Sequence, residues 1–263
     1  SAADPEPNTP STGESEGAGS GPQSPDSSHP TYAKGWNETE DGWVYLTSDN
    51  QDSFCEGWLK LGDTWYWFDP ATHLMATGVV ECNGCMYRFV DSGAREGAMT
   101  VGWSYDSEAS LWYYARPSGV LERGWLEIGD TWYYFDEETC AMQTGWLNRG
   151  GAWYWLGDSG VMATGWVQVD GTWYLFSASG VMLTGWQHVG VTWYYFAGDG
   201  HMVTGWQMVG DKWFFFASNG VMMTGWLYTG GAWYYLDPSG AMHTGWLQLG
   251  SHWYLMSDSG AMT

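Results

Sequence analysis

A Gly-Trp step returns at Trp166, Trp186, Trp206, Trp226 and Trp246, each twenty residues after the last. A fixed period of that size marks a repeat architecture, in which each unit contacts its neighbours and cannot bury its apolar face alone. Within the period the order is constant. In "GWQHVGVTWYYFAGDGHMVTGW", residues 185–206, the second Trp follows the first by seven residues, and Gly-x-Met precedes the next Gly-Trp.

The repeat that begins at Trp146 shows what one unit builds. Gly150-Gly151, like Asp170-Gly171 and Gly230-Gly231 elsewhere, suits a two-residue turn whose backbone needs positive φ, and such turns close β-hairpins. Pairing across the turn sets Trp146 opposite Trp155 and Asn148 opposite Trp153. Alternation along a strand then puts Trp146, Trp153 and Trp155 on one face, and Leu147, Tyr154 and Leu156 on the other. A lone hairpin is marginal in water, so the units must stack. The expected fold is an all-β solenoid of about eleven tandem hairpin repeats over 35–263, with almost no helix. Units start at Trp36, Trp58, Val79, Trp103, Trp125, Trp146, Trp166, Trp186, Trp206, Trp226 and Trp246. The one spanning 79–102 is degenerate, because Val79 and Met86 replace both Trp.

Residues 1–34 differ in kind. The first thirty contain no Trp, Phe, Tyr, Leu, Ile or Val, and are dominated by Pro, Ser, Gly and Glu. Such a segment cannot bury enough apolar surface to offset its ordering entropy, and it reads as a disordered linker. It has neither the basic start nor the apolar core of a signal peptide, and the chain reads as part of a longer protein. A net charge of −22 argues against nucleic acid as partner. No apolar run approaches the roughly 18 residues of a membrane span.

The consensus "GWxxxGxxWYYFxxxGxMxTGW" resembles the choline-binding repeats, a branch of the cell-wall-binding repeats of Gram-positive surface proteins, autolysins and phage lysins. The resemblance covers about residues 35–263. It implies a non-catalytic module, secreted and held non-covalently at the bacterial cell wall, that binds choline on teichoic or lipoteichoic acids between consecutive hairpins. Glucan-type polysaccharide binding is the alternative, since related repeats share the "WYYF" segment. The chemistry fits choline: a quaternary ammonium donates no hydrogen bond and is held by ring quadrupoles and apolar contact. One cage should bind only at about millimolar strength, and a polymer engaging several cages gains avidity.

The resemblance also implies which residues form each cage: both Trp of one repeat, with the aromatic two residues past the second Trp of the next repeat as third wall. Carried over residue by residue, this gives six sites. They are Trp36, Trp43 and Trp67; Trp103, Trp112 and Tyr134; Trp125, Trp132 and Trp155; Trp166, Trp173 and Tyr195; Trp186, Trp193 and Phe215; and Trp206, Trp213 and Tyr235. Trp146 with Trp153, and Trp226 with Trp233, are expected to be weak, because Leu175 and Leu255 stand at the third wall. Trp58 and Trp65 would meet Arg88, whose guanidinium could stack on the two indoles and plug the site.

Tyr154, Tyr174, Tyr194 and Tyr234, on the opposite face, read as core, and the repeated Met residues as gap-filling core. The six His have no metal-ligand spacing, and no nucleophile, base and orienter set is apparent, so neither metal, cofactor nor enzyme activity is expected. Cys82 and Cys85 flank the Asn83-Gly84 turn and should face each other. Their C-x-x-C is a weak zinc signal, and the pairing of the four Cys stays open.

Overall fold

The computed structural model describes residues 31–263, so most of the expected linker lies outside the described residues. Tyr32 and Lys34, expected to belong to that linker, are instead tied to the first repeat. The Tyr32 amide donates to Gln51 Oε1 (2.8 Å), the Lys34 amide to Asp49 Oδ1 (3.2 Å), and the Tyr32 ring packs against Phe54.

Twenty-two short strands form eleven antiparallel hairpins, each a sheet of two strands, with no helix among the described residues. The chain divides into two compact units, Ser1–Gln143 and Thr144–Thr263. Register follows the sequence expectation: Trp146 pairs with Trp155 and Asn148 with Trp153. Asp170 and Gly171 turn with φ of 48° and 81°, the two positive values a two-residue turn of this hand demands. The two extra residues in the hairpin of Trp103 are absorbed in its turn. Gly102–Asp106 still pairs with Leu111–Ala115, so that Tyr105 faces Trp112.

Side chains and a single recurring hydrogen bond join the hairpins within each unit. The amide of the repeated Met donates to the carbonyl of the second Trp one hairpin earlier: Met75 to Trp43, Met182 to Trp153, Met202 to Trp173 and Met262 to Trp233, each at 2.8 Å. The side chain of that Met also packs on the next loop. A Cβ placed on Gly220 would lie 2.2 Å from Met202 Sδ, and one on Gly97 would lie 2.1 Å from Met75 Sδ. Where an earlier Met packs on this loop, as at Gly97 and Gly220, glycine is required by contact as well as by its positive φ, whereas His73 and Cys140 take the positive φ before Met75 and Met142.

The core forms where hairpins stack. The last residue of each second strand (Leu46, Phe68, Phe89, Ala115, Phe135, Leu156, Phe176, Phe196, Phe216, Leu236, Met256) is buried. It lies on the same face as the residue two earlier, a Tyr except at Val44 and Phe214, and opposite the face that carries its own hairpin's Trp pair. Stacking lays this Tyr-and-Phe face on the Trp face of the preceding hairpin: Trp36 meets Tyr66 at 5.0 Å and Phe68 at 5.7 Å between ring centroids.

Candidate aromatic cages at the hairpin junctions

The two Trp of most repeats come together as expected. Trp36 and Trp43, Trp146 and Trp153, and Trp226 and Trp233 stand edge to face, with centroids 6.2–6.3 Å apart and planes within a few degrees of perpendicular. The longer hairpin keeps the same geometry, 6.1 Å between Trp103 and Trp112.

The third ring is not where the resemblance put it. Across the junctions Trp36 meets Tyr66, Trp103 meets Tyr133, Trp166 meets Tyr194, Trp186 meets Phe214 and Trp206 meets Tyr234, at 4.8–5.0 Å. These residues follow the second Trp of the next repeat by one position, not two. The residues named beforehand lie on the other face, each across its own hairpin. Trp67 is 5.2 Å from Trp58, Tyr134 from Trp125, Trp155 from Trp146, Tyr195 from Trp186 and Phe215 from Trp206. The reason is the two-residue side-chain period: a residue two past a Trp shares that Trp's face, and only the odd neighbour points back to the preceding hairpin.

Two further expectations change with it. Leu175 and Leu255 do not stand at the third wall; Tyr174 and Tyr254 occupy it, 4.9 Å from Trp146 and Trp226. Tyr174, Tyr194 and Tyr234, read as core, are junction walls. The Met residues have a second role beside packing. A cavity of about 280 Å³ is lined by Trp226, Trp233, Tyr254 and Met262. One of about 270 Å³ has Trp166, Trp173, Tyr194 and Met202, with Asn219 from the loop one hairpin further on. A third, about 300 Å³, has Trp36, Trp43, Tyr66 and Met75, closed by the 93–96 loop with Glu96.

The degenerate stretch behaves differently. Arg88 does not plug the Trp58/Trp65 pair. It pairs with Val79 across its own hairpin, and its guanidinium lies 5.9 Å from the Tyr113 ring of the next one. Only 3 % exposed, it donates from Nη2 to Asp91 Oδ2 (2.5 Å) and to the Tyr105 carbonyl (3.1 Å). A cation of the chain thus fills the junction that lacks both Trp. Trp58 is 4 % exposed, against 39 % for Trp36 and 38 % for Trp146, in a cluster with Trp67, Cys82, Tyr87 and Phe89. The Trp58/Trp65 pair is therefore closed by packing.

Cys82 and Cys85 face each other across their turn as expected, and all four cysteines are free thiols here. Burial, with Cys85 and Glu81 adding to it, pushes the Cys82 thiol up to about 12, so it stays protonated at neutral pH. Among the described residues no three His, Cys, Asp or Glu side chains converge on a metal-sized site. No helix among the described residues is long and apolar enough to cross a membrane.

Fold and site define a tandem-hairpin repeat protein with aromatic pockets at its repeat junctions. Known proteins place that class in a family. A choline-binding repeat model matches residues 122–165, 163–204 and 203–245, and a cell-wall-binding repeat model matches 56–70 and 244–262. The chain belongs to the choline-binding repeat family, whose members are cell-wall choline-binding modules. No curated protein matches it.

Solved structures agree. CbpJ of Streptococcus pneumoniae is similar at 29 % identity and a TM-score of 0.66, over 87 % of this chain and 93 % of that one. Choline binding protein F of the same species, solved in the presence of a peptidoglycan analogue, gives 28 % and 0.62 over 89 % and 94 %. The choline-binding domain of CbpL, also pneumococcal, gives 25 % and 0.53 over 74 % and 100 %.

Proposed function

We propose that the chain attaches a larger protein to a choline-bearing cell envelope by holding choline in cages between consecutive hairpins. The observation that carries this is the repeated pocket of two perpendicular indoles, a tyrosine or phenylalanine from the next hairpin and a methionine. Such walls present ring faces and a thioether to a trimethylammonium group while making few hydrogen bonds, and a sugar's hydroxyls would be left short of partners.

Seven junctions within the two units carry a Trp pair and a partner ring, six of them with the two indoles edge to face. They are the Trp36/Trp43, Trp103/Trp112, Trp146/Trp153, Trp166/Trp173, Trp186/Trp193, Trp206/Trp213 and Trp226/Trp233 pairs, with their partner rings. Each would bind weakly alone, and a polymer bearing many cholines would hold several at once. The natural ligand is then teichoic or lipoteichoic acid, and the chain itself does no chemistry. Equilibrium dialysis with choline is the test. At least seven sites are expected, with elution from a quaternary-amine resin by choline and not by sugars at matched ionic strength. Six or fewer sites, or release by sugars alone, would overturn the assignment.

A further inference from the structure

The loop that closes a cage comes from two hairpins beyond its Trp pair, and one position in that loop differs from cage to cage. Asn219 precedes Gly220, which abuts Met202, and it lines the Trp166/Trp173 cavity. Glu96 precedes Gly97, which abuts Met75, and it lines the Trp36/Trp43 cavity in the same way. Elsewhere the residue before this glycine is a serine, as at Ser239 and Ser259, or Asp199. Asp199 is already engaged: its Oδ1 lies 2.6 Å from His201 Nδ1. Glu96 is half-buried, held by a tight turn in which its amide donates to the Gly93 carbonyl (3.0 Å) and the Gly97 amide to Val90 (2.8 Å). No side chain among the described residues pairs with its carboxylate.

Resting on the choline reading, we propose that Glu96 makes the Trp36/Trp43 cage select ammonium groups that carry an N–H. A trimethylammonium offers the carboxylate only charge. A protonated dimethylamino or primary ammonium group also donates a charge-assisted hydrogen bond, shorter and stronger than a neutral one. Each methyl given up loses contact with the rings, so cages rimmed by Asn or Ser favour full methylation. At the Glu96 cage the hydrogen bond offsets that loss. The array therefore holds one cage tuned to incompletely methylated amino-alcohol groups among others tuned to choline.

The test follows the indole N–H resonances of the full chain, labelled with ¹⁵N at tryptophan. Trp43→Phe and Trp173→Phe variants assign the two cages. Choline, N,N-dimethylethanolamine and ethanolamine are titrated at neutral pH, where both amines are protonated. The ratio of dimethylethanolamine to choline affinity should be about five-fold higher at Trp36/Trp43 than at Trp166/Trp173, the size of a partly exposed charge pair. Glu96→Gln should bring the first ratio down to the second, and Asn219→Glu should raise the second. Equal ratios in the two cages, or no response to Glu96→Gln, would overturn the proposal while leaving choline binding intact. Choline moving neither indole pair would overturn the choline reading and this selectivity together.

Discussion

Tyr194 packs edge-on against Trp166 across a hairpin junction, with ring centroids 4.9 Å apart. Its neighbour Tyr195 points the other way, to Trp186 at 5.2 Å. One step along a strand therefore separates a wall of one cage from a support of the next. Tyr194→Leu should weaken choline at the Trp166/Trp173 site by roughly 3- to 30-fold, the worth of one ring facing a cation. Tyr195→Leu should leave that site unchanged and disturb the Trp186/Trp193 site instead. Indole resonances read site by site during a choline titration check both.

Gly220→Ala should act at a distance from any ring. Its new Cβ would meet Met202 Sδ at 2.2 Å on a backbone with φ of +80°. Displacing Met202 should cost roughly 1–3 kcal/mol of stability, as overpacking does, and should weaken the Trp166/Trp173 site several-fold. Chemical denaturation and the same titration measure the two effects. A variant as stable as the parent would show that the Met step tolerates movement.

The Arg88–Asp91 pair predicts an asymmetry. The Arg88 side chain is buried and the Asp91 side chain about a third exposed. Asp91→Ala leaves a buried guanidinium with the Tyr105 carbonyl as its remaining acceptor, and should destabilise by about 2–4 kcal/mol. The double variant Arg88→Met with Asp91→Ala removes the stranded charge and should recover much of that loss. Thermal unfolding of the three proteins checks the order.

Acid should loosen the first unit through two turns. Asp69 accepts the amides of Thr72 (2.8 Å) and Ala71 (2.9 Å), and Asp136 those of Thr139 (2.8 Å) and Glu138 (3.0 Å). These backbone donors, ahead of burial, hold both carboxyls below the usual range. A folded value lower than the unfolded one means the stabilisation is complete above about pH 4 and lost as pH falls through the folded value. Asp69→Asn with Asp136→Asn keeps an acceptor but no titration, so its melting temperature should fall less between about pH 5 and pH 3.

The hairpins were legible because their signals are local. A Gly-Gly or Asp-Gly turn and alternating aromatics fix the pairing of Trp146 with Trp155 without reference to any other repeat. The cages were legible only in part, because they form between repeats. Alternation placed Tyr194 opposite its own Trp pair, and that was correct. What periodicity leaves out is that the opposite face of one hairpin is the roof of the hairpin before it. The same omission placed Arg88 one junction too early. The amide that joins Met202 to the Trp173 carbonyl leaves no mark in side-chain pattern at all, since any residue but proline could donate it.

Because every wall of a cage is taken by relative position, a gene that gains or loses one whole repeat should keep working pockets. Excising the twenty residues 186–205 would bring Phe214, Met222 and Ser239 to the Trp166/Trp173 pair, where Tyr194, Met202 and Asn219 stood. The regular repeats are thus open to unequal recombination, with valency as the trait that changes. The stretch around Arg88 is not, since its buried cation fits one neighbour only.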